Sequence, residues 1–157
     1  MKIKIVSTFL TLFFIFGCAS TNQPTLTPLE IQTLQTREYD QSKEIVFPSV
    51  ISVLSDIGYT ITSADLATGL ITAESLAESD AATKFWLGIS NVSQTKANAF
   101  VEEIGEITKL RLNFVVTNDK SYGYGQTDRS DVQVLDATAY QNAFEKIENA
   151  IFVRDTD

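Results

Sequence analysis

The chain has 157 residues, of which 44% are hydrophobic, and this length holds one domain with short extensions. Its net charge of −8 argues against nucleic acid, which demands a basic surface, and against docking on anionic lipid by charge alone. Histidine is absent and one cysteine is present, which excludes Ser–His–Asp and Cys–His catalysis, an internal disulfide and a thiolate metal cluster within this chain.

The N-terminal segment has the pattern of a secretory signal. Lys2 and Lys4 give it a positive start, and residues 5–16 are apolar except for one serine and two threonines. A membrane-spanning helix needs about 20 apolar residues, so this run is too short to cross a bilayer. A positive start, a short apolar run and a small residue before a cleavage point predict that residues 1–17 are a removed signal peptide.

The residues Ile15-Phe16-Gly17-Cys18 resemble the lipobox of bacterial lipoproteins, which is an aliphatic residue, a variable one, a small one and a cysteine. The resemblance implies cleavage between Gly17 and Cys18. It also implies a diacylglyceryl group on the Cys18 thiol and acylation of the new amino group by a fatty acid such as palmitate. Ala19 stands where inner-membrane lipoproteins commonly have aspartate, which implies the periplasmic leaflet of the outer membrane. The alternative is a buried cysteine after an ordinary signal peptide or in a core helix.

Residues 18–34 are predicted to be the lipidated cysteine and a flexible tether. The segment is rich in threonine and contains two prolines, and its first half has no helical or strand period. Removal of residues 1–17 takes two lysines with it and changes the net charge from −8 to −10. Such acidity favours solubility and a basic partner. We therefore expect the membrane contact to come from the lipid anchor, and residues 35–157 to form a single periplasmic domain.

The first half of the domain predicts a strand, a helix and a hairpin. The stretch "TREYD" begins it as a short strand, and Ser42 caps a helix that continues to Ile57 with apolar residues at helical spacing. Pro48 removes one backbone donor and is expected to kink the first turns of this helix. The stretches 58–62 and 69–74 flank a turn sequence and predict a β-hairpin.

The centre of the domain predicts a connection followed by a second hairpin. Residues 76–95 are polar and irregular, and we expect a long connection with one helical turn. Alternating apolar and polar residues return at 96–103 and at 107–116, which predicts two half-buried strands joined by a tight turn.

The end of the chain predicts a loop, a strand and a helix. Residues 118–131 have the composition of an exposed loop, and 132–135 that of a last strand. Asp136 is the expected N-cap of the final helix. The apolar stripe of this helix consists of Tyr140, Phe144, Ile147 and Ile151.

The predicted order is β-α-β-β-β-β-β-α, an α+β fold in which two helices pack on one face of a single antiparallel sheet. Residues 36–153, from "TREYD" to "ATAYQNAFEKIENAIF", resemble a family of small Gram-negative envelope lipoproteins. The element order is similar to that of the helix-grip domains of BamC, a lipoprotein subunit of the β-barrel assembly machinery. These resemblances imply a fold and a location, and they imply no functional site.

Three aromatic residues, Trp86, Tyr122 and Tyr124, are candidates for binding a partner protein. Trp86 is the only tryptophan. It can anchor a partner, touch the membrane interface or pack locally on the core. Tyr122 and Tyr124 alternate with glycines in "SYGYGQ", which is typical of a contact loop and also of a hairpin tip without a role. The glycines are not followed by Lys-Ser/Thr, which argues against a phosphate-binding loop.

The charged clusters are expected to have structural roles. Glu102 and Glu103 are adjacent in a strand and point to opposite faces, so they do not easily converge on a Ca²⁺ ion or act as a paired acid and base. Arg37, Lys109 and Arg111 are expected on the outer face of neighbouring strands, as a basic spot for an acidic partner or in cross-strand charge pairs. We expect no catalytic residue, no metal ligand and no cofactor.

Three functions from different classes remain open. The first is a non-enzymatic, outer-membrane-anchored accessory or scaffold subunit that binds another envelope protein. The second is a carrier of a lipid or other apolar ligand between the sheet and the C-terminal helix, which requires an apolar cavity of some hundreds of Å³. The third and least favoured is a hydrolase with paired carboxylates. Tight filling of the interior would exclude the carrier, and the phenylalanines expected to do so are Phe47, Phe100, Phe114, Phe144 and Phe152.

Overall fold

The structure is a computed structural model that describes residues 26–79, 90–122 and 124–156. The predicted signal peptide, Cys18 and Trp86 lie outside these residues. In chain order the elements are α1 (Pro28–Gln35), β1 (Thr36–Tyr39), α2 (Lys43–Asp56), β2 (Tyr59–Asp65), β3 (Leu70–Ser75), β4 (Glu78–Ser79), β5 (Ser90–Ile104), β6 (Ile107–Ser121), β7 (Thr127–Gln133) and α3 (Ala137–Asp155).

The strands form one sheet, and each of its pairings is antiparallel. Its order is β1-β6-β5-β3-β2, with β4 paired to β5 and β7 paired to β6. The β1 strand pairs with residues 108–111 of β6 and the β7 strand with residues 115–121, so β1 and β7 lie end to end along one edge of β6. The predicted α+β fold with a single antiparallel sheet is confirmed.

The centre of the sheet is the hairpin of β5 and β6, whose strands have 15 residues each. Its turn is tight: Ile104 pairs with Ile107, and Gly105 has a φ of +68°. Alternate residues of both strands face the helices and are buried, which confirms this predicted hairpin. The buried residues of the two strands on this face are Ala97, Ala99, Val101, Thr108, Leu110, Leu112 and Phe114.

Both strands of this hairpin are longer than predicted. Residues 90–95 belong to β5, although an irregular connection was expected there, and residues 118–121 continue β6. The expected loop over 118–131 is therefore wrong, because only residues 122–126 connect β6 to β7. Every residue of β7 is exposed. Since this strand buries no apolar face, its sequence lacks the period of two that marks a half-buried strand.

The α2 and α3 helices pack against the same face of the sheet and against each other, and together with it they enclose the core. Val46, Val50 and Leu54 of α2 are buried at helical spacing, as predicted. Pro48 lies inside α2, which continues to Asp56. Asp136 caps α3, because its carboxylate accepts hydrogen bonds from the backbone of Thr138 at 2.8 Å and of Ala139 at 3.4 Å. The four predicted stripe residues of α3 are all buried.

The N-terminus of α2 is capped by a residue of another element. Ser42 stands at the expected N-cap position, but its side chain makes no capping hydrogen bond. The Glu103 carboxylate accepts a hydrogen bond from the backbone N–H of Lys43 at 3.2 Å instead. Glu102 pairs in register with Lys109. Because neighbouring strand residues point to opposite faces, the two glutamates diverge, as their adjacency predicted.

A third helix, α1, lies where the predicted tether was expected to continue through residue 34. Its first turn has a capping box: the Thr27 hydroxyl accepts from the backbone N–H of Glu30, and the Glu30 carboxylate accepts from the backbone N–H of Thr27 at 2.7 Å. This hydrogen bond lowers the pKa of Glu30. Pro28 stands at the start of the helix, where its missing N–H costs nothing. The prediction of two helices is therefore wrong.

The end of α1 is joined to the domain by a partly buried polar network. The Gln35 side-chain amide donates to the Tyr140 hydroxyl at 3.2 Å and to the Asn113 side-chain oxygen at 3.3 Å. The side-chain amide of Gln133 donates to the same Asn113 oxygen at 3.1 Å. These bonds connect α1, β6, β7 and α3 at the point where β1 and β7 meet. Among the three helices of the described ranges, none is long and apolar enough to cross a membrane.

Candidate functional site

The predicted contact residues Tyr122 and Tyr124 lie in the turn between β6 and β7. Tyr124 is fully exposed, and Tyr122 is half-buried. Two backbone hydrogen bonds hold the turn, from Tyr122 N–H to the Gln126 carbonyl at 2.9 Å and from Gly125 N–H to the Tyr122 carbonyl at 3.1 Å. The turn therefore presents the Tyr124 ring to solvent from a hydrogen-bonded base. The third predicted contact residue, Trp86, lies outside the described residues.

The predicted basic spot is divided between the two faces of the sheet. Arg37 pairs in register with Leu110, and its guanidinium lies on the helix side, 4.6 Å from the centre of the Phe144 ring. Lys109 lies on the opposite face, 3.6 Å from the Glu38 carboxylate, and Arg111 is exposed on that same face. The expectation that all three residues lie on the outer face is wrong for Arg37, because the pleat of β1 turns it inward over an aromatic ring. The alternative prediction, cross-strand charge pairing, is confirmed for Lys109, which pairs with Glu38 of the neighbouring strand.

An apolar pocket of about 300 Å³ lies between the sheet and the N-terminal half of α3. Its sheet side includes Tyr59, Thr95 and Phe114, and its helix side includes Ala139 and Ala143. The pocket opens to solvent on one side. Its volume lies at the lower end of the range for small-molecule sites, and its walls carry few polar groups, as is usual for such sites.

The sheet side of the pocket is held in place by aromatic contacts. The Phe114 ring lies 5.3 Å from the Tyr140 ring and 6.1 Å from the Tyr59 ring, centre to centre. The backbone N–H of Phe114 donates to the Tyr140 hydroxyl at 3.3 Å. Gly58, with a φ of +93°, lets the chain turn from the end of α2 into β2 and so brings Tyr59 to the pocket. This wall is preformed by residues of three elements.

The helix side of the pocket is a stripe of small and polar residues along α3. Ala139, Asn142, Ala143 and Lys146 follow the spacing i, i+3, i+4, i+7, which places them on one face of a helix. This stripe adjoins the apolar stripe that fills the core. Because alanine extends only one methyl group toward the sheet, two alanines in this stripe leave the space that forms the pocket.

The electrostatics of the pocket are simple. Among the described residues that line it, Lys146 is the one that carries a charge. No carboxylate within residues 26–79, 90–122 and 124–156 lies within 4.0 Å of the Lys146 ammonium. Burial raises the pKa of the Tyr59 phenol, and a hydrogen bond with the Thr95 side chain opposes part of that rise. The pocket therefore combines neutral walls with a single cation at its rim.

The phenylalanines expected to fill the interior do not all do so. Phe47, Phe114 and Phe144 are buried, whereas Phe100 is 38% exposed and Phe152 is 70% exposed. Phe100 lies on the sheet face opposite the helices, and Phe152 follows the core stripe of α3 on its solvent side. Two of the five phenylalanines thus lie outside the interior, and the apolar space of some hundreds of Å³ is the pocket beside α3, which is open to solvent.

Sequence reasoning gave a cavity between the sheet and the C-terminal helix as the condition for the carrier function, but it did not identify the residues that line the pocket, although the alanine-containing stripe of α3 was a readable signal. In the described ranges no three histidine, cysteine or acidic residues are grouped so that they could hold a metal ion. Comparisons of the sequence with known protein families and with curated proteins gave no match. The chemistry of the candidate site therefore rests on its own geometry.

Proposed function

We propose that the chain is a non-enzymatic lipoprotein whose domain binds another envelope protein as an accessory or scaffold subunit. Acyl chains on Cys18 anchor it in the periplasmic leaflet of the outer membrane. The observation that carries the partner-binding proposal is the full exposure of Tyr124 at the tip of the β6–β7 turn. A large aromatic side chain that its own domain leaves uncovered offers its whole surface to a partner, at a low cost in side-chain entropy.

The fold adds to this proposal. The 19-residue α3 helix packs beside α2 on one face of the antiparallel sheet, an arrangement that supports a helix-grip domain similar to those of BamC. The opposite sheet face carries no helix of the described residues and is largely polar. An accessory subunit of this kind would use its core face for stability and its turns and second face for contacts.

The α1 helix shortens the flexible tether that the proposal requires between Cys18 and the domain. Nine residues separate Cys18 from Pro28, where α1 begins. Fully extended, nine residues reach at most about 30 Å. With α1 held to the domain through Gln35, the proposed anchor would keep the domain near the membrane surface, so its partner would be a membrane-attached or membrane-proximal protein.

Crosslinking from position 124 tests the partner proposal. With p-benzoylphenylalanine in place of Tyr124, we expect irradiation of intact envelopes to produce a discrete protein adduct, identifiable by mass spectrometry. The matched control is the same probe at Glu145, which is exposed on the solvent side of α3. We also expect Tyr124→Ser to weaken co-purification of the identified protein about tenfold or more, as for an interface anchor. Adducts with lipid alone, or equal adducts from both positions, contradict the scaffold function.

A Cys18→Ser substitution tests the anchor separately. We expect the wild-type chain to incorporate a palmitate analogue and to fractionate with the outer membrane, because two or three acyl chains hold a protein essentially permanently. The substituted chain lacks the thiol and is expected to lose both the label and this fractionation. Outer-membrane recovery of the Cys18→Ser chain would show that another feature anchors the protein.

A second candidate function is supported by the pocket between the sheet and α3. Its volume of about 300 Å³ and its apolar walls suit a carrier of a lipid or other apolar ligand. This function also needs no catalytic residue. It differs from the scaffold function in its site, because the pocket uses Phe114 and Ala143, whereas the proposed partner contact uses Tyr124.

A further inference from the structure

The pocket between the sheet and α3 carries information about the chemistry of its ligand. Its apolar surfaces include a phenylalanine ring and two alanine methyl groups, those of Phe114, Ala139 and Ala143. The polar groups on the sheet side of the described lining are the hydroxyls of Tyr59 and Thr95, which are too few to pair the backbone of a bound peptide. A peptide backbone buried there would leave N–H and C=O groups without partners, which is costly. An unbranched hydrocarbon chain requires no hydrogen bonds and fits these walls.

The rim of the pocket carries one uncompensated cation. Lys146 has alanine or asparagine at each position three or four residues away along α3, so no helical neighbour pairs with it. Asn142 lies one turn before it on the same rim and offers side-chain N–H donors. In a chain whose net charge is −8, an ammonium that lies next to an apolar opening, with no carboxylate of the described residues within 4.0 Å, is a point of charge complementarity for an anion.

The hollow between α1 and β1 is a weaker candidate, although its volume of about 420 Å³ is larger. Its lining includes Glu38 and Lys109, which already pair at 3.6 Å, and the Arg37 side chain, whose guanidinium contacts the Phe144 ring. The charges in that hollow are therefore satisfied by the protein itself. The pocket at α3, by contrast, combines apolar walls with an ammonium that has no carboxylate of the described residues within 4.0 Å.

We propose that this pocket binds a fatty acid or a similar single-chain amphiphile that ends in a carboxylate. The acyl chain lies between Phe114 and the two alanines of α3, and the carboxylate meets the Lys146 ammonium and the Asn142 amide. A volume of about 300 Å³ suits one chain better than two. A single ammonium matches a monoanionic carboxylate, whereas phosphate recognition favours the bidentate forks of arginine. The inference rests on the second candidate function and specifies its ligand.

Displacement of the uncharged fluorescent probe N-phenyl-1-naphthylamine from the full-length chain tests this assignment. The competitors are dodecanoate and dodecan-1-ol, which share a chain length and differ in charge. We expect Lys146→Gln to weaken dodecanoate binding about threefold at low salt, the effect of one rim ion pair, and to leave dodecan-1-ol binding unchanged. We expect Ala139→Leu, at an exposed position of the lining, to weaken both competitors about tenfold by occupying the pocket.

The variants test the carboxylate assignment and the carrier function separately. If dodecanoate binds the wild-type chain and the Lys146→Gln chain equally while Ala139→Leu weakens both ligands, the carboxylate assignment is wrong and the carrier function stands. If Ala139→Leu and the deeper Ala143→Leu leave both affinities unchanged, no acyl chain occupies the pocket and the carrier function fails as well. Comparison among variants cancels any binding to the apolar N-terminal run, and thermal melting of each variant verifies that it is folded.

Discussion

Replacing Phe144 by alanine is expected to lower the free energy of unfolding by about 3–5 kcal/mol, the usual cost of removing a fully buried phenylalanine. Phe144 is 1% exposed, and it occupies the centre of the α3 stripe that faces the sheet. The truncation removes packing on both sides of the ring and leaves a cavity that the surrounding strands cannot close. It also removes the contact with the Arg37 guanidinium at 4.6 Å, which contributes about 0.5–1 kcal/mol.

The matched control for this prediction lies on the same helix. Phe152→Ala removes the same atoms, but Phe152 is 70% exposed and most of these atoms already contact water. We therefore expect the free energy of unfolding to change by at most about 0.5 kcal/mol. Urea unfolding followed by circular dichroism measures both variants, with the m-value as a check on two-state behaviour. Equal destabilisation by the two substitutions would mean that α3 does not pack on the sheet through the face described above.

Replacing Gly69 by alanine is expected to lower the free energy of unfolding by about 3–4 kcal/mol, because backbone strain and a steric clash act at the same residue. Gly69 has a φ of +79°, where an L side chain is strained by about 1–2 kcal/mol. A Cβ at this position would also lie 2.0 Å from the Val101 carbonyl oxygen. The backbone cannot easily move to relieve this clash. The Gly69 carbonyl accepts a hydrogen bond from the backbone N–H of Val101 at 2.9 Å, and Leu70 begins the pairing with β5.

Gly58 provides the control that separates these two penalties. Its φ is +93°, but a Cβ there would have no atom within 4 Å. Gly58→Ala is therefore expected to cost only the conformational strain, about 1–2 kcal/mol. Denaturant unfolding of both variants measures the difference. A Gly69→Ala protein as stable as Gly58→Ala would show that the β2–β3 turn does not approach Val101 as closely as the structure places it.

The parts of the fold that were predicted correctly are those that bury one face of a regular element. The α2 and α3 helices repeat apolar residues every three or four positions, and the inner part of the β5–β6 hairpin alternates buried and exposed residues. In both cases the period of the apolar residues follows from the geometry of one element, so it can be recognised without knowledge of the partner. Asp136 was identified as a cap for the same reason, because it acts on its own helix.

The outer part of the sheet was not predicted, because its strands are polar on both faces. The β7 strand is exposed throughout, and the residues of β6 beyond Asn118 are exposed as well. They stay paired through backbone hydrogen bonds and polar side-chain contacts, such as the hydrogen bond from the Thr117 hydroxyl to the Asp131 carboxylate at 2.8 Å. That bond lowers the pKa of Asp131. Neither the backbone hydrogen bonds nor the polar side-chain contacts produce an apolar period along the chain.

The α1 helix was not predicted for a different reason. Its capping box and its proline at the start were readable in "TPLE", but the threonine- and proline-rich composition of the segment favoured a tether. A short helix is only marginally stable by itself and is held in place by tertiary contacts. Here the contact is the Gln35 side chain on Tyr140, two residues that are far apart in the chain.

By itself, the sequence determined the elements with one buried face, the caps that act within one helix and the position of the single cysteine after an apolar run. These properties depend on neighbouring residues, whose order is the sequence. Only the tertiary structure decided that Arg37 covers Phe144 and that Phe114, Tyr59 and the alanine stripe of α3 enclose a pocket with Lys146 at its rim. Such arrangements depend on the distance and angle at which elements distant in the chain approach each other, and no local period encodes them.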